Sequence, residues 1–127
     1  MYPTGYANPY VGRGPTTGMN ERVGTARTYY RSLDDHDYET LRSILTPSFV
    51  QRRPDLRLEG RDRFITFMRA ERPQAETTHP IDSIYESEAN LAVEGRLLDA
   101  SGERITGFVD VLAFDDDRID RIRTYTA

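Results

Sequence analysis

At 127 residues the chain has room for one domain and not for two, and a domain of that length buries roughly two-thirds of its unfolded surface. Hydrophobic residues make up 37% and charged residues 30%, polar for a globular protein yet outside the disordered range. All 17 basic residues are arginine, set against 21 carboxylates for a formal charge of −4, and there is no cysteine; this excludes a disulfide framework or thiolate metal site and argues against nucleic acid as the main partner.

Residues 1–20 are rich in Gly, Pro, Tyr and Thr and follow neither a helical nor a strand period, which reads as a flexible N-terminal arm. Such an arm either packs on a neighbouring subunit or is a plain tail, with Met19 as an alternative start. A domain over residues 21–127 follows. Val23, Ala26, Tyr29, Tyr30 and Leu33 share one helical face, predicting a first helix to about Leu33. The aspartates between Asp34 and Asp37 can cap a second helix carried by Tyr38, Leu41, Ile44 and Leu45, which Pro47 is expected to end. A short extended stretch over 49–53 and a loop lead to Gly60. A third helix, RDRFITFMRAER, then turns Phe64, Phe67 and Met68 inward and stops before Pro73.

The remainder reads as strand. Residues 77–86 alternate, with His79, Ile81, Ser83 and Tyr85 on one face; 90–98 form a second strand, and a turn at 99–102 leads into 104–114. Asp115–Asp117 turn the chain into a final strand, RIDRIRTYT. On 104–114, Ile105, Val109, Val111 and Ala113 face one way, and Phe108, Leu112 and Phe114 the other. A strand apolar on both faces needs cover on both. Three helices cover one side of an antiparallel sheet, so a second copy of the chain is the simplest cover for the other, and a homodimer is expected.

The helix pair YYRSLDDHDYETLRSIL, the segment LEGRDRFITFM and the ending GFVDVLAFDDDRIDRIRTYT together resemble the nuclear-transport-factor-2-like superfamily, and within it the SnoaL-like and ketosteroid-isomerase-like members. The resemblance spans about residues 21–127. It implies an α+β fold: a cone-shaped, cystatin-like α+β barrel with three N-terminal helices packed on a curved, mainly antiparallel sheet. It does not imply one chemistry, because the superfamily holds isomerases, cyclases, dehydratases, hydrolases and proteins without catalysis. The ketosteroid isomerases pair a helix tyrosine with a protonated strand aspartic acid as an oxyanion hole, and use a separate aspartate as base. Carried over position by position, the resemblance places the tyrosine on Tyr29 and the acid on Asp110. At the base position stands Arg53, which stays charged and cannot abstract a proton, and the loop to Gly60 is two residues shorter. Both departures argue against the steroid isomerase mechanism here.

Asp110 stands out without any family, as an acid on a face otherwise made by Phe108, Leu112 and Phe114. Burying it unpaired is costly, so it is expected to be protonated, or paired with an arginine such as Arg53 or Arg96. Tyr29 reads as a catalytic donor or as a core tyrosine satisfied by backbone, and Tyr30 as packing. His79 is the available general base if its face is the concave one, and a structural histidine otherwise; His36 is expected to be solvated. Arg52, Arg53 and Arg57, with Asp55 between them, either hold an anionic ligand group or form salt bridges to Asp55 and Glu59. Catalysis is thus expected from Asp110, Tyr29 and His79, and substrate contact from Arg53, Asp55, Phe108, Leu112 and Phe64. No spacing suggests a metal, a phosphate loop or a nucleophile elbow, so no metal and no cofactor is expected.

The expected function is a pocket that binds a small, largely apolar molecule, with cofactor-independent isomerase-, cyclase- or dehydratase-like acid–base chemistry. The alternative is a non-catalytic dimeric ligand- or protein-binding module of the same fold. No run reaches the roughly 18 apolar residues of a membrane span and no secretory signal is evident, so a cytoplasmic location is expected. The lysine-free, aspartate-rich composition fits codon bias in a GC-rich genome or a halophilic source.

Overall fold

The structure, a computed structural model, describes residues 18–127. The arm expected over residues 1–20 lies outside these, except that Met19 and Asn20 already belong to the first helix. Helix α1 (Met19–Asp34) buries Ala26, Tyr29, Tyr30 and Leu33, one stripe at helical spacing. It ends at a tight corner where His36 adopts a left-handed φ of 58°, a conformation histidine tolerates better than most residues. Asp37 then caps α2 (Tyr38–Ser43), its carboxylate accepting from the Thr40 amide at 3.2 Å.

Pro47 does not end α2. The helix stops at Ser43, and Pro47 lies within strand β1 (Leu45–Arg52), between Leu45 and Val50 where the pairing slips register. A proline fits there because a slipped ladder asks no hydrogen bond of it. A short strand β2 (Arg57–Glu59) pairs back onto β1 and delivers Gly60, at φ 95°, to the start of α3 (Arg61–Thr66). The helix continues as a π-helical turn, Phe67–Glu71, closed by the Arg72 amide on the Phe67 carbonyl at 3.0 Å. The wider turn keeps Phe67 and Met68 buried, as expected, and carries the chain on to Arg72.

Four long strands follow: β3 (Ile81–Glu86), β4 (Asn90–Leu98), β5 (Arg104–Asp115) and β6 (Arg118–Thr126). They join the first two in one six-stranded sheet of order β2-β1-β6-β5-β4-β3, antiparallel except where β1 meets β6. The sheet is mixed and curved, with two free edges, so the cone is not a closed barrel. Its concave face and the helices share one core, including Phe49, Phe64, Leu91, Val93, Leu112, Ile119 and Ile122. The expected strand over 77–86 is shorter. Residues 72–80 are irregular apart from a bridge between Thr78 and Leu98, and a register slip between Ile81 and Ser83 breaks the alternation. Ile81 packs against the core while Tyr85 stands 55% exposed, so the two do not share a face as the unbroken period required. The other side of β5 has no cover among the described residues: Val109, Val111 and Ala113 are only half-buried.

Candidate functional site

Between α1, the π-helical turn, the 72–80 segment and the concave sheet lies a cavity of about 320 Å³, its walls more apolar than polar. Leu33, Met68, Leu97, Ile105 and Phe108 supply hydrophobic surface. Tyr29, Tyr30, Gln51, Thr106, Thr124, His79 and Asp110 bring polar groups to it. The volume is near the lower bound of the roughly 300–1,000 Å³ usual for small-molecule sites, and the mixture of apolar wall and few polar groups is the usual one.

Asp110 is 5% exposed. Neither Arg53 nor Arg96 pairs with it: Arg96 is bound to Asp82 and Arg53 to Asp55. Hydroxyls hold it instead. Tyr30 Oη donates to Oδ2 at 2.7 Å, Thr124 Oγ1 donates to Oδ1, and Gln51 Nε2 donates to Thr124 Oγ1 at 3.2 Å. Burial pushes the Asp110 carboxyl above the usual range, while the hydroxyls of Thr124 and Tyr30 and the charges of His79 and Arg53 pull it part of the way back. The Tyr29 and Tyr30 hydroxyls are raised well above the ordinary tyrosine value, first by burial and then by the Asp110 charge.

His79 comes from the irregular segment rather than a strand, and is fixed by Asp34 at the end of α1. The Asp34 carboxylate accepts the His79 backbone amide at 3.0 Å and lies 2.6 Å from the ring Nδ1. A proton on Nδ1 shared with Asp34 leaves Nε2 as a lone-pair acceptor, and among the described residues Nε2 has no protein partner. The ring packs between Tyr30 and Phe108, with centroids 5.9 Å from each. One structural unit thus joins a buried carboxyl, two buried phenols and a carboxylate-oriented imidazole. It can move a proton between a base and a weak acid across an apolar space. Among the described residues, no group of three or more metal-ligating side chains is present.

The profile of the SnoaL-like domain matches residues 26–122, most of the chain and at least part of every element that builds the cavity. The chain belongs to the SnoaL-like domain family. Solved structures agree on the fold. A candidate ketosteroid isomerase from Kribbella flavida DSM 17836 is 20% identical, with 87% of this chain and 81% of that one aligned at a TM-score of 0.77. A protein of unknown function with a cystatin-like fold from Methylobium petroleophilum PM1 is 18% identical over 89% and 80%, at 0.78. A candidate SnoaL-like polyketide cyclase from Jannaschia sp. CCS1 is 17% identical over 91% and 90%, at 0.71. No curated protein sequence matches the chain.

Within this SnoaL-like cavity the structure brings together Asp110, Tyr29, His79, Arg53 and Phe108. Three residues expected to touch substrate do not line it. Phe64 and Leu112 are fully buried in the core, Phe64 against Phe49 and Tyr29, because the sheet's curvature fills that end of the cone. Asp55 points to solvent, its side chain 62% exposed, and pairs with Arg53 at 3.2 Å. Arg57 likewise pairs with Glu59 at 2.6 Å, the salt-bridge alternative for this segment. Tyr30 is more than packing, since its hydroxyl and not that of Tyr29 bonds Asp110. His36 is half-buried rather than solvated, 2.8 Å from the Ala75 carbonyl. Ile105, assigned to the outer face, lines the cavity because β4 and β5 slip register at Leu97–Leu98. Gln51, Thr77, Thr124 and Arg72 were not expected at the site. A polar residue on an apolar strand, as at Gln51, was the one available signal.

Proposed function

We propose that this SnoaL-like domain binds a small, largely apolar molecule in the cavity and performs proton-transfer chemistry on it, with His79 as base and Asp110 as acid. The carrying observation is the pairing of an Asp34-oriented imidazole with a 5% exposed carboxyl on one apolar cavity. His79 Nε2 takes a proton from carbon beside a substrate carbonyl, and the electron pair moves onto the carbonyl oxygen. Protonated Asp110 donates to Tyr30 Oη, the 2.7 Å contact serving either direction, and this frees the Tyr30 proton for the developing oxyanion. Return of the proton from His79 to another carbon completes an isomerisation; its delivery instead to a β-hydroxyl, which leaves as water while the enolate pair forms the double bond, completes a dehydration. With Arg53 where the steroid isomerases place their base, His79 is the base this geometry favours.

The test is wash-in of deuterium at the α-carbon of 2-tetralone in D2O, followed by NMR. The wild-type protein is expected to accelerate exchange, and His79→Ala to lose about 100-fold or more of that acceleration, with Asp110→Asn impaired as well. Unchanged exchange in both variants, or none above buffer in the wild type, would sink the acid–base reading and leave a non-catalytic binding module.

The partner in this reading is a second copy of the chain. Across the outer face run Tyr85, Ala92, Val111 and Arg123 in one row and Ser83, Glu94, Val109 and Tyr125 in the next. Its centre is aliphatic, with Glu94 toward one side and Arg121 and Arg123 toward the other. A two-fold axis through Val109 and Val111 would set acid against arginine, as a self-complementary interface requires. The reading retains the cytoplasmic location expected from the sequence, which cell fractionation checks.

A further inference from the structure

Two arginines line the cavity besides the groups already given a part, and they are unequally satisfied. Arg53 spends Nε and Nη2 on Asp55, a carboxylate that is itself largely in solvent. Arg72 has no carboxylate within salt-bridge reach among the described residues. Its Nη2 donates to the Tyr38 hydroxyl at 3.2 Å, and its Nε is buried with no acceptor among the described residues. A buried charged donor left open is rare, because folding strips its water and returns nothing. The backbone fixes the position: the π-helical turn closes on the Arg72 amide, so the side chain departs from a rigid point on the cavity wall.

A third donor lines the same cavity as the two arginines. The Tyr29 hydroxyl makes no hydrogen bond to the described residues, although its ring is 2% exposed and stacked against Phe64. The charges acting on that hydroxyl are Asp110, Arg53 and Arg72. An open phenol that shares one cavity with two arginines, the other walls being Leu33, Met68, Leu97 and Phe108, calls for an acceptor carrying negative charge.

We propose that the ligand of this cavity is a small organic acid, its carboxylate held by Arg72 and Arg53 with the Tyr29 hydroxyl as third donor, and its apolar body lying against Phe108 and Leu97. A carboxylate is the smaller group, and a cavity of about 320 Å³ that also holds the ligand's apolar body leaves less room for a phosphate ester. This rests on the cavity being a ligand site but not on any catalysis. It also separates Tyr29 from Tyr30: Tyr29 seats the substrate, while Tyr30 serves Asp110.

The experiment compares matched probes by calorimetric titration: 2-naphthoate, 2-naphthamide and 2-naphthyl phosphate. The wild-type protein is expected to bind the naphthoate about tenfold or more tightly than the isosteric amide. Arg72→Gln is expected to remove that preference by weakening the naphthoate alone, and Tyr29→Phe to reduce it in part. Equal affinity for acid and amide in the wild type overturns the carboxylate seat even if the variants fail to fold, and tighter binding of the phosphate overturns the choice of carboxylate. A protein that binds none of the three fails at the cavity itself, whereas one that prefers the naphthoate but exchanges no tetralone proton keeps the seat and loses only the acid–base reading.

Discussion

At the residue scale, Asp110 is the acid of the proposed reading and also carries a cost. A carboxyl with a raised folded pKa takes up protons on folding, so its contribution to stability is full below the unfolded value near about 4 and is lost as pH rises through the raised folded value. Asp110→Asn removes that term. Urea unfolding from about pH 4 to about pH 7 is expected to show a flatter stability profile in the variant, with its gain relative to wild type growing toward the upper end. Tyr30→Phe acts in the other sense. It deletes the 2.7 Å bond to the carboxylate, so the Asp110 carboxyl moves further up, and stability falls by about 2 kcal/mol where Asp110 is ionised. NMR titration of the Asp110 carboxyl carbon separates the two tyrosines, since Tyr29 makes no bond to Asp110 and Tyr29→Phe is expected to leave it nearer its wild-type position. The site was partly legible at this scale. An acid among Phe108, Leu112 and Phe114 announces itself in the sequence; that a hydroxyl from Tyr30 and not its neighbour reaches it depends on the rotation of α1 against the sheet.

At the element scale, one glycine sets how closely the 72–80 segment approaches the sheet. Gly95 on β4 pairs with Phe108 on β5, and a methyl group there would stand 2.5 Å from the Pro80 carbonyl and 2.8 Å from the Phe108 ring. The backbone oxygen cannot retreat without moving the 72–80 segment, so the absence of a side chain lets that segment lie close over the sheet. Gly95→Ala is therefore expected to lower stability by about 1–3 kcal/mol and to displace Phe108 and His79 together, visible as weaker probe binding and a shifted His79 ring resonance. The same segment shows why periodicity misread this stretch. Alternation over 77–86 looks like one strand, but the Asp34 carboxylate holds His79 through both backbone and ring, and the slip after Ile81 reverses the faces. A contact between residues 45 positions apart leaves no trace in a local pattern.

At the scale of the whole molecule, the face of the sheet that the described residues leave uncovered sets the expected assembly. Tyr85 and Tyr125 stand 55% and 50% exposed on either side of the half-buried Val109 and Val111, an arrangement that water tolerates poorly in a monomer. Sedimentation velocity is expected to give a dimer. Val111→Asp, which places a charge at the centre of the face, is expected to give a folded monomer by sedimentation and circular dichroism; a wild-type monomer, or a variant still dimeric through this face, would refute the interface.

The sequence by itself determined the α+β character, the three helices, the order of hairpins and the acid on the apolar strand, because each is written in local spacing: helical stripes, turn residues, alternation; the SnoaL-like character rests on the resemblance of its segments to that family. Only the tertiary structure decided which groups meet. It turned Tyr30 to Asp110, fixed His79 on Asp34, and sent Asp55 into solvent and Phe64 and Leu112 into the core. It also brought Arg72 to the cavity through a π-helical turn. These outcomes follow from register slips, sheet curvature and helix rotation, where one residue of offset exchanges the inside for the outside while the composition and local pattern stay the same.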